Sequence, residues 1–209
     1  MARAFAEISF TPAVLNIQKQ QGSAHSYAKF LTPEAERGDH LTEAEKAFIA
    51  ARDGFYQATI SETGWPYVQF RGGPKGFLKT INDRTIAYAD FRGNRQYVST
   101  GNLTGIDKIS LILMDYPNQR RLKIWGRAKL IEKEEDAELL SSLMIDGYRA
   151  MPERAVVITI EAFDWNCPRH IPQRLTLEEL QPHILPLQKQ IILLDEENKA
   201  LKSQLGSAL

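Results

Sequence analysis

The sequence contains very little cysteine and no long hydrophobic run. Cys167 is the single cysteine among 209 residues, so an internal disulfide and a zinc site built on several thiolates are excluded. No apolar stretch reaches the roughly 18 residues of a membrane span, and the first residues lack the apolar segment of a signal peptide. The four histidines are isolated from one another. We therefore expect a cytoplasmic protein in a reducing compartment, with neither a membrane segment nor a metal site.

The chain also lacks net charge, because 26 basic residues balance 26 acidic ones. This balance is not typical of a nucleic-acid-binding protein, which usually carries a basic excess. The charges are unevenly distributed, since residues 67–129 contain 12 basic and only 4 acidic side chains. A basic centre in a neutral protein favours a small anionic ligand over a long polyanion. The alternative is that these side chains are simply solvated on exposed strand faces.

Changes in the hydrophobic pattern predict three regions. Residues 1–41 show weak periodicity, and we expect an irregular arm with at most one short helix, near 24–31. Residues 42–175 carry the regular patterns of a folded domain. Residues 176–209 form a tail of a different, helical texture. The chain is thus expected to be one domain flanked by an arm and a tail.

Strand-length segments dominate the central region and are connected mostly by short turns. Because few helices are available to cross over the sheet, a mostly antiparallel sheet that closes into a barrel fits best. Along residues 122–131, apolar and polar side chains alternate, as in a strand with one buried face. The predicted strands cover residues 56–60, 67–71, 77–81, 85–89, 109–115, 122–131 and 155–163.

Three helices are expected within the central region. Thr42 and Glu45 have the spacing of a capping box, which predicts a helix over residues 42–52. A short helix over 94–100 is bracketed by glycines. A longer helix over 133–148 carries several apolar residues on one face.

The stretch from Tyr67 to Asn102 has the features of a phosphate pocket. Arg71 ends one strand and is followed by two glycines, which let the backbone bend or approach a ligand closely. Asp90 ends another strand, and Gly93 and Asn94 then lead into the short helix. With Asn94 as the N-cap, this helix start offers backbone N–H groups to an anion. An ordinary turn with a capped helix and exposed arginines remains the alternative.

Three separated blocks of sequence occur in a characteristic order. They read RDGFYQATISETGWPYVQFRGGPKGFL at 52–78, ADFRGNRQYVSTGNL at 89–103 and LMDYPNQRRLKIWGRAKL at 113–130. This order resembles the pyridoxamine 5′-phosphate oxidase family of flavin-binding proteins, most closely an oxidase-related branch. The resemblance is close from about residue 52 to 131, looser from 132 to 175, and excludes the tail.

The resemblance implies a six-stranded antiparallel split β-barrel that forms a homodimer and binds FMN between the subunits. Arg71, Lys79 and Arg95 match the family's phosphate-binding cations, while Gln96 stands where the family has a lysine. Ala89 and Asp90 match the strand end whose backbone lies against the flavin. The other residues expected at the cofactor are Asn94, Ser99 and Asn102, with Trp165 and Arg169 as candidates for the partner subunit's contribution.

The function implied is that of an FMN-dependent oxidoreductase acting on a small molecule, with no catalytic side chain assigned. The cofactor carries the chemistry in such enzymes, and the protein supplies position and electrostatics. The substrate is expected to differ from vitamin B6 phosphate, because Arg169, His170 and Arg174 depart from the Arg-x-His-x-Arg spacing of the true oxidases. A non-enzymatic flavin carrier or redox sensor is the main alternative. A pure interaction protein without ligand is a third reading.

The tail carries a heptad repeat. Leucines at 180, 187, 194 and 201 occupy one position of the heptad, and Ile184, Ile191, Asn198 and Leu205 follow each of them by four residues. This pattern predicts a coiled coil between subunits, since a buried asparagine in the seam sets register in such assemblies. Packing of the helix on its own barrel is the alternative. Pro182 and Pro186 are incompatible with a helix interior, which predicts a helix start near residue 187.

Overall fold

The computed structural model describes residues 3–165 and 168–206. It divides the chain into two compact units. The first contains the chain up to Asp115 together with Arg120–Arg169, and the second contains Tyr116–Gln119 together with the chain from His170 onwards. The sheet and the first six helices belong to the first unit, and the C-terminal helix belongs to the second.

The first unit is built on a sheet of seven antiparallel strands. The predicted fold class is confirmed, with seven strands in the sheet and no hydrogen-bonded ladder that closes it within the described residues. β2 and β3 are therefore its two edges, and the strands follow the order β2-β1-β5-β6-β7-β4-β3. The strands are β1 (Gly54–Ile60), β2 (Pro66–Gly72), β3 (Lys79–Asn82), β4 (Thr85–Phe91), β5 (Lys108–Asp115), β6 (Arg120–Glu132) and β7 (Pro152–Trp165).

Alternation along the strands builds the larger hydrophobic core on one face of the sheet. In β6, Leu122, Ile124 and Ala128 are buried while Arg127 and Lys129 are exposed, as the sequence pattern predicts. A bulge between Trp125 and Gly126 bends β6 where it pairs with β7. A Cβ atom at Gly126 would clash with the Thr159 carbonyl oxygen, so glycine is needed at this bend. The largest fully buried side chains include Phe55, Phe77, Tyr88, Leu111, Leu113 and Ile158.

The N-terminal arm is helical, and the prediction that it is mostly irregular is wrong. It contains α1 (Ala4–Ser9), α2 (Pro12–Gln20) and α3 (Ala24–Ala28), followed by a 3-10 turn over Lys29–Leu31. Ala4 and Ala6 are buried, and α1 packs against β7. Such short helices give too few turns for a periodic signal, and tertiary packing stabilises them instead.

The capping box at Thr42 is confirmed, and the other two central helices differ from expectation. Helix α4 (Glu43–Ala50) begins after Thr42, whose side chain and that of Glu45 cap each other's backbone. Helix α5 (Val98–Gly105) begins four residues later than predicted, after Tyr97 in a left-handed conformation. Helix α6 (Ala137–Ser142) is much shorter than the predicted helix over 133–148, and Asp136 caps its start.

Asn94 is therefore not the N-cap of a helix. Its Oδ1 accepts a hydrogen bond from the backbone N–H of Gln96, which forms a local turn instead. Asparagine favours both arrangements, so sequence alone does not separate them.

The second unit contains α7 (Leu177–Gly206), and both prolines lie inside it. The prediction that the helix starts near residue 187 is wrong. Thr176 and Glu179 form a capping box that begins the helix upstream of the prolines. Pro182 and Pro186 each remove one backbone donor, but the helix is exposed here, so the freed carbonyl groups are open to water.

Candidate functional site

A pocket of about 270 Å³ opens between β2, the end of β4 and the loop 92–97 that leads into α5. Six of the residues predicted for the cofactor site line it: Arg71, Asp90, Asn94, Arg95, Gln96 and Ser99. Its other lining residues are Tyr67, Gln69, Phe91, Gly93, Tyr97, Val98, Thr100 and Glu153. The structure thus brings these six residues together from two strands, a loop and the start of a helix.

One face of β2 forms a wall of this pocket. Tyr67, Gln69 and Arg71 alternate with exposed residues, so the strand's period of two directs all three to the same side. Their side chains are half-buried, whereas Val68 and Phe70 on the opposite face are exposed. The pocket wall therefore presents one phenol, one amide and one guanidinium group.

Arg71 belongs to a buried ion-pair network. Its Nη1 donates to Oδ1 of Asp90 at 2.7 Å, and Nη1 of Arg154 donates to Oδ2 of the same carboxylate at 3.1 Å. Arg154 also donates to Glu132 at 2.9 Å. Burial opposes charge on Arg154, but its hydrogen bonds with Glu132 and Asp90 outweigh this and raise its pKa. The network fixes the pocket's floor by joining β2, β4 and β7.

The loop before α5 has an unusual backbone. Arg95 and Tyr97 both adopt positive φ angles, of 65° and 54°, which non-glycine residues adopt at a cost of about 1–3 kcal/mol each. Asn94 Oδ1 accepts a hydrogen bond from the Gln96 backbone N–H, which closes a local turn around Arg95. The Arg95 side chain is exposed and makes no ion pair or hydrogen bond with any residue that the structure describes. Strain of this kind is typical of ligand-binding loops.

The first turn of α5 faces the pocket, because Val98, Ser99 and Thr100 all line it. The first N–H groups of a helix have no acceptor within the helix, and the Tyr97 side chain does not cap them. These donors, together with the positive end of the helix dipole, favour an anion at this position.

Two polar contacts anchor α5 to the sheet. Ser99 Oγ donates to Oε1 of Gln69 at 2.9 Å, and the buried Nδ2 of Asn102 donates to Oγ1 of Thr59 at 3.0 Å. Asn102 therefore holds the helix on β1 and does not line the pocket. Ser99 does both, since it lines the pocket and binds the β2 wall.

A second group of charges lies at the pocket's rim. The Tyr97 hydroxyl donates to Oε1 of Glu153 at 3.0 Å, and Nε of Arg92 lies 3.4 Å from the same oxygen. The Arg154 guanidinium lies 5.5 Å from the Tyr97 ring centroid, within range of a cation–π contact. Glu153 thus connects the strained loop to β7.

Besides Asn102, four residues predicted for the site do not line this pocket. Lys79 Nζ donates to the carbonyl groups of Ser142 and Met144, near the C-terminal end of α6. Ala89 is buried and pairs with Ala155 on β7. Arg169 is exposed. The fourth, Trp165, has its own contacts.

Trp165 is held within its own chain. Its Nε1 donates to Oε1 of Glu45 at 2.6 Å, and its ring meets Phe48 edge-on at 4.8 Å. The Arg120 guanidinium lies 4.6 Å from the Trp165 ring. Cys167 falls outside the described residues.

The two glycines after Arg71 leave room for neighbouring aromatic rings. A Cβ atom at Gly73 would lie 2.7 Å from the Phe77 ring, and one at Gly72 would lie 2.9 Å from the Phe70 ring. The sequence predicts that these glycines let the backbone bend or approach a ligand closely. Their immediate neighbours in the structure are aromatic side chains.

The pocket residues missed from the sequence include the polar side chains of Tyr67, Gln69, Tyr97 and Glu153. The alternation of β2 could have found Tyr67 and Gln69, because they share a strand face with Arg71. Tyr97 lies inside the sequence block at 89–103, between residues that were stronger candidates for binding a phosphate. Glu153 lies some 60 residues away from the loop in sequence, and only the pairing of β4 with β7 brings it there.

Comparison with known proteins identifies the family to which the chain belongs. Residues 41–166 match the sequence profile of pyridoxamine 5′-phosphate oxidase, which covers more than half of the chain. The chain belongs to the pyridoxamine 5′-phosphate oxidase family. The resemblance inferred from the three sequence blocks is thereby confirmed. Among curated protein sequences, no match reached significance.

Solved structures similar to this family member include HupZ, which shares its fold. HupZ from Group A Streptococcus superposes with a TM-score of 0.50 at 16% identity, over 65% of this chain and 99% of HupZ. An FMN-binding protein from Syntrophomonas wolfei gives a TM-score of 0.47 at 16% identity, over 59% of this chain and 85% of its own. About a third of this chain lies outside the HupZ alignment. Within the described residues, no helix is long and apolar enough to cross a membrane.

Proposed function

We propose that this protein binds FMN in the pocket between β2 and α5 and acts as an FMN-dependent oxidoreductase on a small molecule. The observation that carries the proposal is the convergence of Arg71, Arg95 and the uncapped start of α5 on one pocket of a pyridoxamine 5′-phosphate oxidase family member. Family membership supplies the cofactor class, and the pocket supplies groups that suit its phosphate.

The phosphate end of FMN fits best near Arg95 and the first turn of α5. Arg95 carries a charge that no described residue neutralises, and the N–H groups of residues 98–100 are adjacent to it along the chain. Charge-assisted hydrogen bonds from a guanidinium to phosphate are among the stronger polar contacts in proteins. The Ser99 hydroxyl could contribute a further contact.

Arg71 has a donor group that suits an additional hydrogen-bond acceptor on the ligand. Its Nε is buried and has no hydrogen-bond partner within the described part of the chain, although its Nη1 is bound to Asp90. A buried donor without a partner costs about 1–3 kcal/mol, which an acceptor on the ligand would recover. The residues present therefore fit an anionic, oxygen-rich cofactor.

The homodimer is supported by an exposed apolar surface, which we name the β2 outer face. It consists of Val68 and Phe70 on β2, Tyr56 on β1 and Ile112 on β5, all of them exposed. Tyr56 pairs with both Phe70 and Ile112, so these side chains form a continuous row across three strands. Contiguous apolar surface of this kind is typical of subunit interfaces. We propose that a second copy of this chain covers it.

When bound, FMN would supply the redox chemistry, and the chain's own residues would bind and orient it. Tyr67 and Tyr97 provide the phenol groups of the pocket, and neither histidine nor cysteine occurs among its described lining residues. Proton transfer to a substrate would therefore involve these phenols or water.

A non-enzymatic flavin carrier or redox sensor is the second candidate. One observation favours it: both carboxylates of the pocket are engaged in ion pairs, Asp90 with two arginines and Glu153 with Arg92. These acids hold structure together and are poorly placed to exchange protons with a substrate. A carrier needs no such exchange.

The tail is proposed to add self-association. Its seam positions Leu187, Ile191 and Leu194 are exposed along α7. In a parallel pair, Glu197 at position g would face Lys202 at position e of the other helix, so the charges complement the apolar seam. Asn198 would face its own copy across the seam only in this register.

The visible spectrum of the purified protein tests the proposal. A flavin absorption band with FMN as the released species on chromatography is the expected result, and FAD alone or no flavin would contradict it. Anaerobic addition of NADH or NADPH then separates the two candidates. Rapid bleaching followed by turnover with an acceptor indicates an enzyme, whereas a flavin that is bound but never turned over indicates a carrier or sensor.

A further inference from the structure

A second cavity, distinct from the proposed FMN pocket, lies between the N-terminal arm and the sheet. Its volume is about 520 Å³, within the range of small-molecule sites. It shares no lining residue with the pocket at β2 and α5. Five aromatic side chains line it: Phe5, Phe10, Tyr27, Phe30 and Trp165.

The aromatic walls come from both the arm and the sheet. Phe10 and Tyr27 meet edge-on at 5.9 Å, and Tyr27 and Phe30 lie 6.1 Å apart, so the arm supplies a connected set of rings. Trp165 closes the sheet side, where its hydrogen bond to Glu45 fixes the indole. Rings in these arrangements offer faces and edges to a further planar ring.

The cavity also carries a charged cluster. Arg3 Nη2 lies 3.2 Å from Oδ1 of Asp164, and Lys123 Nζ lies 3.8 Å from Oδ2 of the same carboxylate. Two cations facing one carboxylate leave one positive charge in excess. Burial lowers the pKa of Lys123 and raises that of Asp164, as expected for charges held out of water.

Arg3 has an unused donor at this site. Its Nε is buried and has no hydrogen-bond partner within the described residues. Its guanidinium also lies 5.6 Å from the Phe30 ring, and Lys123 Nζ lies 4.7 Å from the Phe5 ring. The cavity thus combines a buried unpaired donor, an excess positive charge and aromatic walls. This combination favours a ligand whose negatively charged acceptor group is attached to a ring.

We propose that this cavity binds a small planar aromatic molecule that carries a single carboxylate. The ring lies among the aromatic side chains of the arm, and the carboxylate meets Arg3 and Lys123. A neutral hydrocarbon of the same shape would leave the excess charge unpaired, and an aromatic amine would add to it. This site does not depend on FMN binding at the other pocket.

The test uses 1-naphthoate as the probe and the full-length protein as purified. Isothermal titration calorimetry should show saturable binding of naphthoate, with 1-naphthylmethylamine binding at least about tenfold more weakly. The indole N–H resonance of Trp165 should shift on titration, while that of Trp65, exposed in the turn between β1 and β2, stays in place.

Matched lysines on β6 provide the control. Lys123→Gln should weaken naphthoate binding about five- to tenfold, because it removes the excess charge, whereas Lys129→Gln on the exposed part of the strand should leave it unchanged. Tyr27→Ala, at a side chain that is 43% exposed, offers a second variant that is expected to fold and to weaken binding. Absence of saturable binding, equal loss in both lysine variants, or no shift of Trp165 would overturn the proposal.

Discussion

The carboxylate of Asp90 lies between two guanidinium groups, with Arg71 at 2.7 Å from one oxygen and Arg154 at 3.1 Å from the other. All three side chains are largely buried. The positive charge of Arg71 is thus already balanced within the protein. An anion that enters the pocket meets its uncompensated charge at Arg95, on the strained loop.

Replacing Asp90 tests this balance. Asp90→Asn should tighten FMN binding about three- to tenfold, because it removes the negative charge nearest to Arg71. It should also lower the free energy of unfolding by about 1–3 kcal/mol, since two buried arginines lose a charged acceptor. Fluorescence titration of the apoprotein and urea unfolding measure the two effects. Asp107→Asn, at an exposed carboxylate paired with Arg127, should change neither by much. Unchanged FMN binding by Asp90→Asn would show that the phosphate lies far from Arg71.

Removing the free cation should have the opposite effect on affinity. Arg95→Ala should weaken FMN binding by about 1.5–3 kcal/mol, the contribution of a charge-assisted hydrogen bond. This corresponds to roughly 10- to 150-fold in Kd. Arg84→Ala, at an exposed arginine in the turn at the other end of β4, is the control. If both variants bind FMN equally, the phosphate lies elsewhere.

The β2 outer face should control dimerisation. Phe70→Glu should give a monomer by light scattering and lower flavin content, because a buried charge in the interface is unpaired. Ile81→Glu, at an exposed position on the other edge of the sheet, should remain dimeric. Truncation after Thr176 removes α7 and should leave the dimer and its flavin intact. A truncated protein that is monomeric and free of flavin would assign dimerisation to the tail.

The heptad pattern of α7 predicts how replacing Asn198 changes thermal stability and oligomeric state. In the structure its Nδ2 donates to the carbonyl of Leu194 in the same helix. If α7 pairs with a second copy, Asn198→Leu should raise the thermal stability of the helix and permit a change in oligomer state. Lys189→Leu adds the same side chain outside the seam and should not reproduce the change. Circular dichroism and light scattering report the two quantities. Rapid proteolysis and unprotected amides in residues 187–206 would argue against any packed tail.

The Glu45 carboxylate predicts a pH dependence of stability. Burial raises its pKa, but hydrogen bonds from Thr42 and Trp165 outweigh this, and the pKa is lowered overall. A lowered pKa in the folded state contributes stability above the unfolded pKa, near 4.3, and this contribution is lost as the pH falls through the folded value. Glu45→Gln should therefore cost about 1–3 kcal/mol at pH 7, and the difference should shrink below about pH 4.

Urea unfolding at pH 7 and near pH 3 measures this difference. Glu43→Gln, an exposed carboxylate in the same helical turn, should cost less than about 0.5 kcal/mol at either pH. A loss for Glu45→Gln that is independent of pH would indicate a steric origin.

The parts of this structure that the sequence predicted well depend on residues that lie close together along the chain. The strands follow from apolar alternation, which depends on neighbouring residues alone, and α4 follows from the Thr42–Glu45 capping box. The family followed from three ordered sequence blocks. Arg71 and Arg95 were found in the same way, because each lies at a strand end or turn that local sequence marks.

Tertiary structure decided what local sequence leaves open. Lys79 has the residue type of a phosphate ligand, but the fold brings the end of α6 to it, and its ammonium binds two carbonyl groups there. Glu153 reaches the pocket only because β7 pairs with β4. The arm's short helices form because α1 finds the sheet to pack against. In each case the deciding interaction joins residues that are distant along the chain, so its free energy is absent from any local pattern and exists only once the sheet has formed.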